Sequence, residues 1–516
     1  MAFLMAAIVA VAAFTASAPA APVLGAAGPT ADVVRIAWWT DVGFPTPFAV
    51  STLGPGGLVR LSLIYDSLVW KDETGTIPWL AQTWRVSTDG TAYTFRVRPG
   101  IVWHDGRPLT ARDVQFSFEY YRAHPFAWVD TGVVAAAVAE DALTVTIRLR
   151  RPFAPFLTDI AGIVPIIPEH VWKNVQEPER AQTLAVAVGS GPYRLVDYRP
   201  AAGAYRLRAN ARYFRGRPIV DEIQYLLVAP ERQMLAVHSG EVHAAMTDAE
   251  DVARAFAGHP YLRVWHTAPL SVARLLFNLR EPPFDRKTAR QAVAYAVNRL
   301  QLMLTMTRGA GVPGSPGLIA PTDPWYDGSI RAYPYDPLRA RLLARDASLP
   351  PRIELLSSPS PAVLLIQEML RSAGIDVIPR AVDARTRAAL IDDGTFQMAL
   401  TTHIGAGGDP DYLRRWLTGE DANQFGRGSG FADPVYTRLA REQAEATDPA
   451  RRRALVNRMQ AILAEDIPTL ALYYRRFTWV YDGRKLRPVD TRGGLMNGIP
   501  LIENKVIFLP KDGGAP

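Results

Sequence analysis

The chain has 516 residues, 48% of them hydrophobic, a formal net charge of +7 and no cysteine. That length exceeds what a single hydrophobic core organises, so at least two domains are expected. The absence of cysteine excludes disulfides, thiol catalysis and a lipid anchor on an amino-terminal cysteine. The positive charge is mostly Arg, beside six Lys, and is dispersed without the basic stripe and interleaved aromatics of a nucleic-acid surface, so no nucleic-acid partner is expected.

Residues 1–31 carry no charged side chain, and Met1 to Phe14 are wholly apolar before Thr15-Ala16-Ser17-Ala18-Pro19-Ala20-Ala21. An apolar run shorter than the roughly 20 residues that span a bilayer, followed by small residues, reads as an export signal over 1–27. Val33 to Trp39 reads as a strand, with a loop from Thr40 to Phe48 broken by Gly43, Pro45 and Pro47. Alternation over Tyr93 to Arg98 and over Leu143 to Leu149 predicts half-buried strands inside a strand-rich stretch of about 55–190. Gly189-Ser190-Gly191-Pro192-Tyr193 lacks a following Walker Lys and reads as a tight turn. In the helical segment after Arg290, residues Val293, Ala296, Val297, Leu300 and Leu304 are expected on one face.

An α/β pattern follows: strand Ile353 to Leu356, helix Ala362 to Ser372, strand Ile375 to Pro379, helix Ala384 to Ile391 and strand Phe396 to Thr402. Parallel crossovers place ligand crevices outside the carboxyl ends of their strands, which singles out the loop His403 to Asp411. Asp448-Pro449 opens a helix with Leu455, Met459, Ile462 and Leu463 inward, and Arg451-Arg452-Arg453 is expected on its solvated face. Strands Leu470 to Tyr474 and Thr478 to Tyr481 close the pattern.

Several runs carry a resemblance. They are Ile64-Tyr65-Asp66-Ser67-Leu68, Gly75-Thr76-Ile77-Pro78-Trp79-Leu80-Ala81, Trp84 to Gly90, Trp103-His104-Asp105-Gly106, Gly189 to Tyr193, Asn278 to Asp285 and Tyr333 to Leu343. In this order they resemble the family 5 solute-binding proteins of bacterial ABC importers, the dipeptide, oligopeptide and nickel-binding type. The resemblance implies an α/β, two-lobed periplasmic binding protein fold of type II, in the large variety with an extra subdomain in lobe one. Lobe one would comprise 28–267 plus 479–516, with the subdomain at about 57–188, and lobe two 268–478. It implies a receptor that captures a peptide-like or other small polar organic solute in an interlobe cleft and delivers it to ABC permease subunits. A ligand-presenting sensor or chemoreceptor partner, or a nickel or metal-chelate binder, are the alternatives. A monomer in the periplasm, exported and unlipidated, is expected, with no cofactor. No Gly-x-Ser-x-Gly elbow or His-Glu-x-x-His helix occurs, so no enzyme is expected and no catalytic residue is named.

By the resemblance, the solute lies between the loop after the first strand and the loop carrying Gly408-Asp409-Pro410-Asp411. Trp39, Thr40 and Asp41 are the candidates on the first, and His403, Gly405, Ala406, Gly408, Asp409 and Asp411 on the second. Trp325 and Tyr326 sit in a Pro/Gly-rich loop that would border the cleft. Each has a plainer structural reading: strand-end packing for the tryptophan, surface packing for Trp325 and Tyr326, and a satisfied loop histidine for His403. The aspartate that anchors the amino group in peptide binders falls, in register, on Ala406. Ordinary peptides with a free amino terminus become less favoured unless Asp409 or Asp41 substitutes, because a buried ammonium without a carboxylate partner is costly. His104 is expected in a structural turn far from the cleft.

Overall fold

The structure is a computed structural model that describes residues 32–51, 55–247, 250–269, 271–405, 407–418, 428–495 and 502–510. The export signal expected over 1–27 lies outside these residues. Among the described residues, no helix is long and apolar enough to cross a membrane.

The apolar run Val33–Trp38 forms the central strand of a seven-stranded sheet, pairing in parallel with Glu222–Leu227 and with Ala244–Thr247. The spatial order of that sheet is Leu262–His266, Thr478–Asp482, Ala244–Thr247, Val33–Trp38, Glu222–Leu227, Ala204–Ala209, Tyr193–Arg199. A second, six-stranded sheet runs Gly311–Pro313, Thr469–Arg475, Ser271–Phe277, Met398–Ile404, Ile353–Ser357, Val377–Ala381. The chain passes from the first sheet to the second after Leu262–His266 and returns after Thr469–Arg475. The two connecting segments are bonded to each other: Thr267 N–H donates to Phe477 O and Phe477 N–H to Thr267 Oγ1, both at 2.9 Å. Only these two adjacent links join the sheets covalently, an arrangement suited to hinge motion.

The alternating segments Ala92–Val97 and Thr144–Leu149 pair antiparallel within a separate four-stranded sheet, flanked by Ala81–Val86 and Val134–Ala139. This sheet shares one continuous apolar core with the seven-stranded sheet. The second sheet is covered on its two faces by distinct apolar clusters, one led by Ala273, Leu275 and Phe277, the other by Val272, Tyr412, Trp416 and Tyr474. The strands Ile353–Ser357, Val377–Ala381 and Met398–Ile404 pair in parallel, linked by the helices Pro361–Ser372 and Ala384–Asp392. Ser360 and Asp383 cap those helices through their side chains, which fixes where each begins.

The expectation of one apolar face through Val293 to Leu304 is overturned. The helix Lys287–Ala296 stops, Val297 turns extended, and Asn298 caps a new helix, Arg299–Thr307, by accepting from Gln301 N–H. The break resets the helical phase, so Leu300 and Leu304 emerge 54% and 51% exposed. The Gly189–Gly191 turn is tight for a stated reason: a Cβ on Gly189 would lie 1.9 Å from the Ile64 carbonyl oxygen.

His104 clamps that turn. Gly189 N–H donates to Nδ1 at 3.2 Å, and Nε2 then donates to Gly191 O at 3.0 Å, so the ring is neutral. Burial holds its pKa down to about 4, from 6.5. Between those values the unfolded chain binds a proton that the folded chain refuses. The contribution of His104 is therefore whole above about pH 6.5 and is lost as pH falls toward 4, at up to about 1.4 kcal/mol per pH unit. Urea midpoints from pH 7 to 4.5 should fall less steeply for His104→Gln than for the unaltered protein. Equal slopes would remove His104 from the acid response.

Candidate functional site

The first strand ends on a pair of stacked indoles. Trp38 is buried, with the Arg60 guanidinium 4.5 Å from its ring centroid, and Trp39 stacks on it at 4.3 Å while remaining half-buried. Thr40 turns its hydroxyl to Asp41 O at 3.2 Å. The Asp41 carboxylate accepts from the hydroxyls of Tyr198 (2.8 Å) and Tyr205, and from Gly43 N–H at 3.3 Å. Asp41 is thus a knot holding its own loop to the strands Tyr193–Arg199 and Ala204–Ala209.

His403 belongs to the strand rather than the loop, opposite Val272, with its ring 4.3 Å from Trp416. Burial and the neighbouring Arg274 charge hold its pKa down to about 3. Gly405 and Gly408 adopt φ of +90° and +76°, so each of these two positions suits glycine and would strain another residue. Ala406 lies outside the described residues.

The carboxylates that follow are engaged. Arg452 Nη1 and Nη2 grip Asp409 at 2.8 and 2.6 Å, and Asp411 N–H donates to Asp409 Oδ1 at 2.9 Å. Asp411 accepts from Arg414 Nε and Nη2, each at 2.8 Å, and from Gln443 Nε2 at 2.7 Å. Gln443 Oε1 in turn receives Arg452. Arg452 is therefore 7% exposed, and the expectation that Arg451-Arg452-Arg453 forms a solvated face fails for its middle member. The reason is tertiary: the helix Pro434–Glu445 packs against Pro449–Asp466 and presents Gln443 to it. Trp325 lies under the Arg453 guanidinium at 4.3 Å and with Tyr326 packs against the second-sheet cluster around Leu318 and Met459.

Opposite the Asp411 helix stand residues that adjoin the four-stranded sheet. Between them opens a cavity of about 650 Å³, walled by Trp128, Phe153, Asp159 and Ile160 on one side and by Asp411, Arg414 and Arg415 on the other. Of the residues singled out in the sequence, Asp411 is the one on this wall; Trp39, Thr40, Asp41, Trp325, Tyr326, His403, Gly405, Gly408 and Asp409 are not. The two sides touch at its rim, where Ala154 N–H donates to Ala444 O at 2.6 Å and Arg151 meets Glu445 at 3.8 Å. Away from it, Arg308 reaches Asp251 at 3.2 Å.

Sequence reasoning passed over Asp159, Arg415 and Lys71. One signal was present: Asp159 is the lone charge in the otherwise apolar run from Phe153 to Ile167. Among the described residues, no group of three or more His, Asp or Glu is arranged to hold a metal ion.

Residues 75–425 match the family described as bacterial extracellular solute-binding proteins, family 5. The chain is 28% identical over 435 residues to di/tripeptide-binding protein 2 of Pseudomonas aeruginosa, covering 77% of this chain and 80% of that one. It is 28% identical over 437 residues to the dipeptide-binding protein of Escherichia coli, covering 77% and 81%. Among solved structures it resembles NikA from Brucella suis in complex with Fe(III)-EDTA, with a TM-score of 0.79 and 21% identity over 92% of this chain and 99% of that one. It also resembles DppA from Helicobacter pylori in complex with the peptide STSA, with a TM-score of 0.76 and 21% identity over 93% and 98%. At these identities the structural likeness concerns the fold.

Proposed function

The chain belongs to family 5 of the bacterial extracellular solute-binding proteins, and from that premise we propose that it is the extracytoplasmic receptor of an ABC importer for a peptide-like or other small polar organic solute. The observation that carries the reading is the cavity between two bodies that are joined through paired links at Thr267 and Phe477. Such a cavity can shut around a solute by hinge motion, and the shut form presents a different outer shape to a permease. The relatives named for di- and tripeptides support the solute class.

We place the lobes at 28–267 plus 479–516 and at 268–478, with the subdomain at about 57–188. The receptor acts as a monomer in the periplasm, without lipid and without catalysing a reaction; recovery of a shortened chain in the osmotic-shock fraction checks the compartment. Trp39, Thr40 and the turn from His403 to Gly408 remain our candidates for solute contact when the lobes separate and close. Asp41 and Asp409 are poor substitutes for the missing loop carboxylate, because each is already engaged by its own neighbours.

Small-angle scattering tests the receptor reading. The radius of gyration should shrink when the protein is saturated with a solute identified by mass spectrometry of what co-purifies. An unchanged radius across that titration would count against hinged capture.

A further inference from the structure

The walls of the interlobe cavity differ in one respect. On the Asp411 side the acids are neutralised by Arg452 and Arg414, and Gln443 donates a hydrogen bond to Asp411. On the subdomain side Asp159 is 9% exposed, lines the cavity, and receives neither a hydrogen bond nor an ion pair among the described residues. Its turn, Phe156–Ala161, is otherwise apolar or hydroxylic, so the turn itself supplies no balancing charge. A buried carboxylate without a partner is expensive, and it persists where something else supplies the partner.

We infer that Asp159 is the counter-ion for an amino group of the captured solute, taking from the subdomain the role that the loop at Ala406 cannot fill. This rests on the receptor reading above and names the chemistry of its site. The groups that face Asp159 agree with a cation arriving between them. Burial and the nearby Asp409 charge, set behind the opposite wall, push its carboxyl up to about 6, against the opposing pull of Arg415 and Lys71, with Asp411 adding to the rise. An ammonium placed there would be shared by Asp159 and the outer field of Asp409, relieving a like-charge approach.

Lys71 completes the pattern. Its residue is 5% exposed, and its ammonium makes no hydrogen bond or ion pair among the described residues, although Asp159 is its strongest charged neighbour. Arg415 Nε is likewise buried without a hydrogen bond, 3.9 Å from Asp411. Asp159 and Lys71, of opposite sign and close without joining, match a solute with both an amino group and an anionic group. The proposal thus departs from the sequence-based expectation that ordinary peptides with a free amino terminus are disfavoured.

The full chain and Asp159→Asn should be incubated in a peptone hydrolysate and in the same hydrolysate after acetylation of its amines. Desalting, denaturation and mass spectrometry then identify what each has captured. The unaltered protein should capture solutes from the untreated mixture, with about 30-fold or greater loss after acetylation, and Asp159→Asn should show a comparable loss from the untreated mixture. Its thermal midpoint should equal or exceed that of the unaltered protein, because the substitution removes an unpaired buried charge. Capture of the same solutes by Asp159→Asn, or undiminished capture after acetylation, overturns the role of Asp159 and leaves the receptor reading intact. A lowered midpoint accompanying lost capture assigns Asp159 a structural role and overturns the proposal. No capture from either mixture by the unaltered protein would defeat both.

Discussion

Lys505→Met is expected to destabilise the first lobe by about 3–5 kcal/mol, because it leaves one half of a buried ion pair alone. Lys505 Nζ lies 2.6 Å from Asp66 Oδ1, and both side chains are fully enclosed. Asp66 also accepts from Trp79 Nε1 (2.7 Å), Tyr213 Oη (3.0 Å) and Ser190 Oγ (3.0 Å), so its position is fixed with or without the lysine. The ammonium sits 4.0 Å from the centroid of Trp70 and 4.9 Å from that of Trp79, a cation–π environment that a methionine thioether fills without charge. The pair ties the C-terminal segment to the start of the chain, 439 positions away. Urea denaturation followed by tryptophan fluorescence checks the loss. The double variant Lys505→Met with Asp66→Asn should recover much of it, since neither charge is then left alone. If the double variant is as unstable as the single one, the cost lies in packing rather than in the unpaired carboxylate.

Arg452→Ala should cost a similar amount, about 3–5 kcal/mol, but in the second lobe. It strips the bidentate partner from Asp409 and a donor from Gln443 in one step. Gln443 also holds Asp411, so the whole turn from Gly408 to Asp411 loses its brace. Weakened solute capture should accompany the lowered stability, in contrast to Asp159→Asn, where capture falls and stability does not. Thermal denaturation read beside the same capture measurement separates the two. An Arg452→Ala protein as stable as the unaltered one would mean that Asp409 relaxes into solvent, and the brace would be dispensable.

The contrast between Asp409 and Asp159 shows how far the sequence reaches into the site. The pattern Gly-Asp-Pro-Asp drew attention to Asp409, and its place after a parallel strand was legible from the alternation of strand and helix between Ile353 and Thr402. What the pattern lacked was the identity of the partner: Arg452 lies 43 positions onward, on a helix whose register put it among solvated residues. Asp159 had the opposite fate. Its apolar surroundings were visible, yet its facing groups, Asp409, Arg415 and Lys71, come from distant parts of the chain.

The sequence by itself determined the family, the alternation of strands and helices from Ile353 to Thr402, the helix start at Asp448-Pro449, and the structural character of the His104 turn. Periodicity, capping and turn chemistry act over a few residues, so they can be read along the chain. Only the tertiary structure decided which charges are spent and which are available. That outcome depends on how the subdomain, the hinge links and the second lobe dock, and a carboxylate's value to a ligand is set by the cations that reach it first. Asp41 and Asp409 met their partners within their own lobes, whereas Asp159 met an open wall.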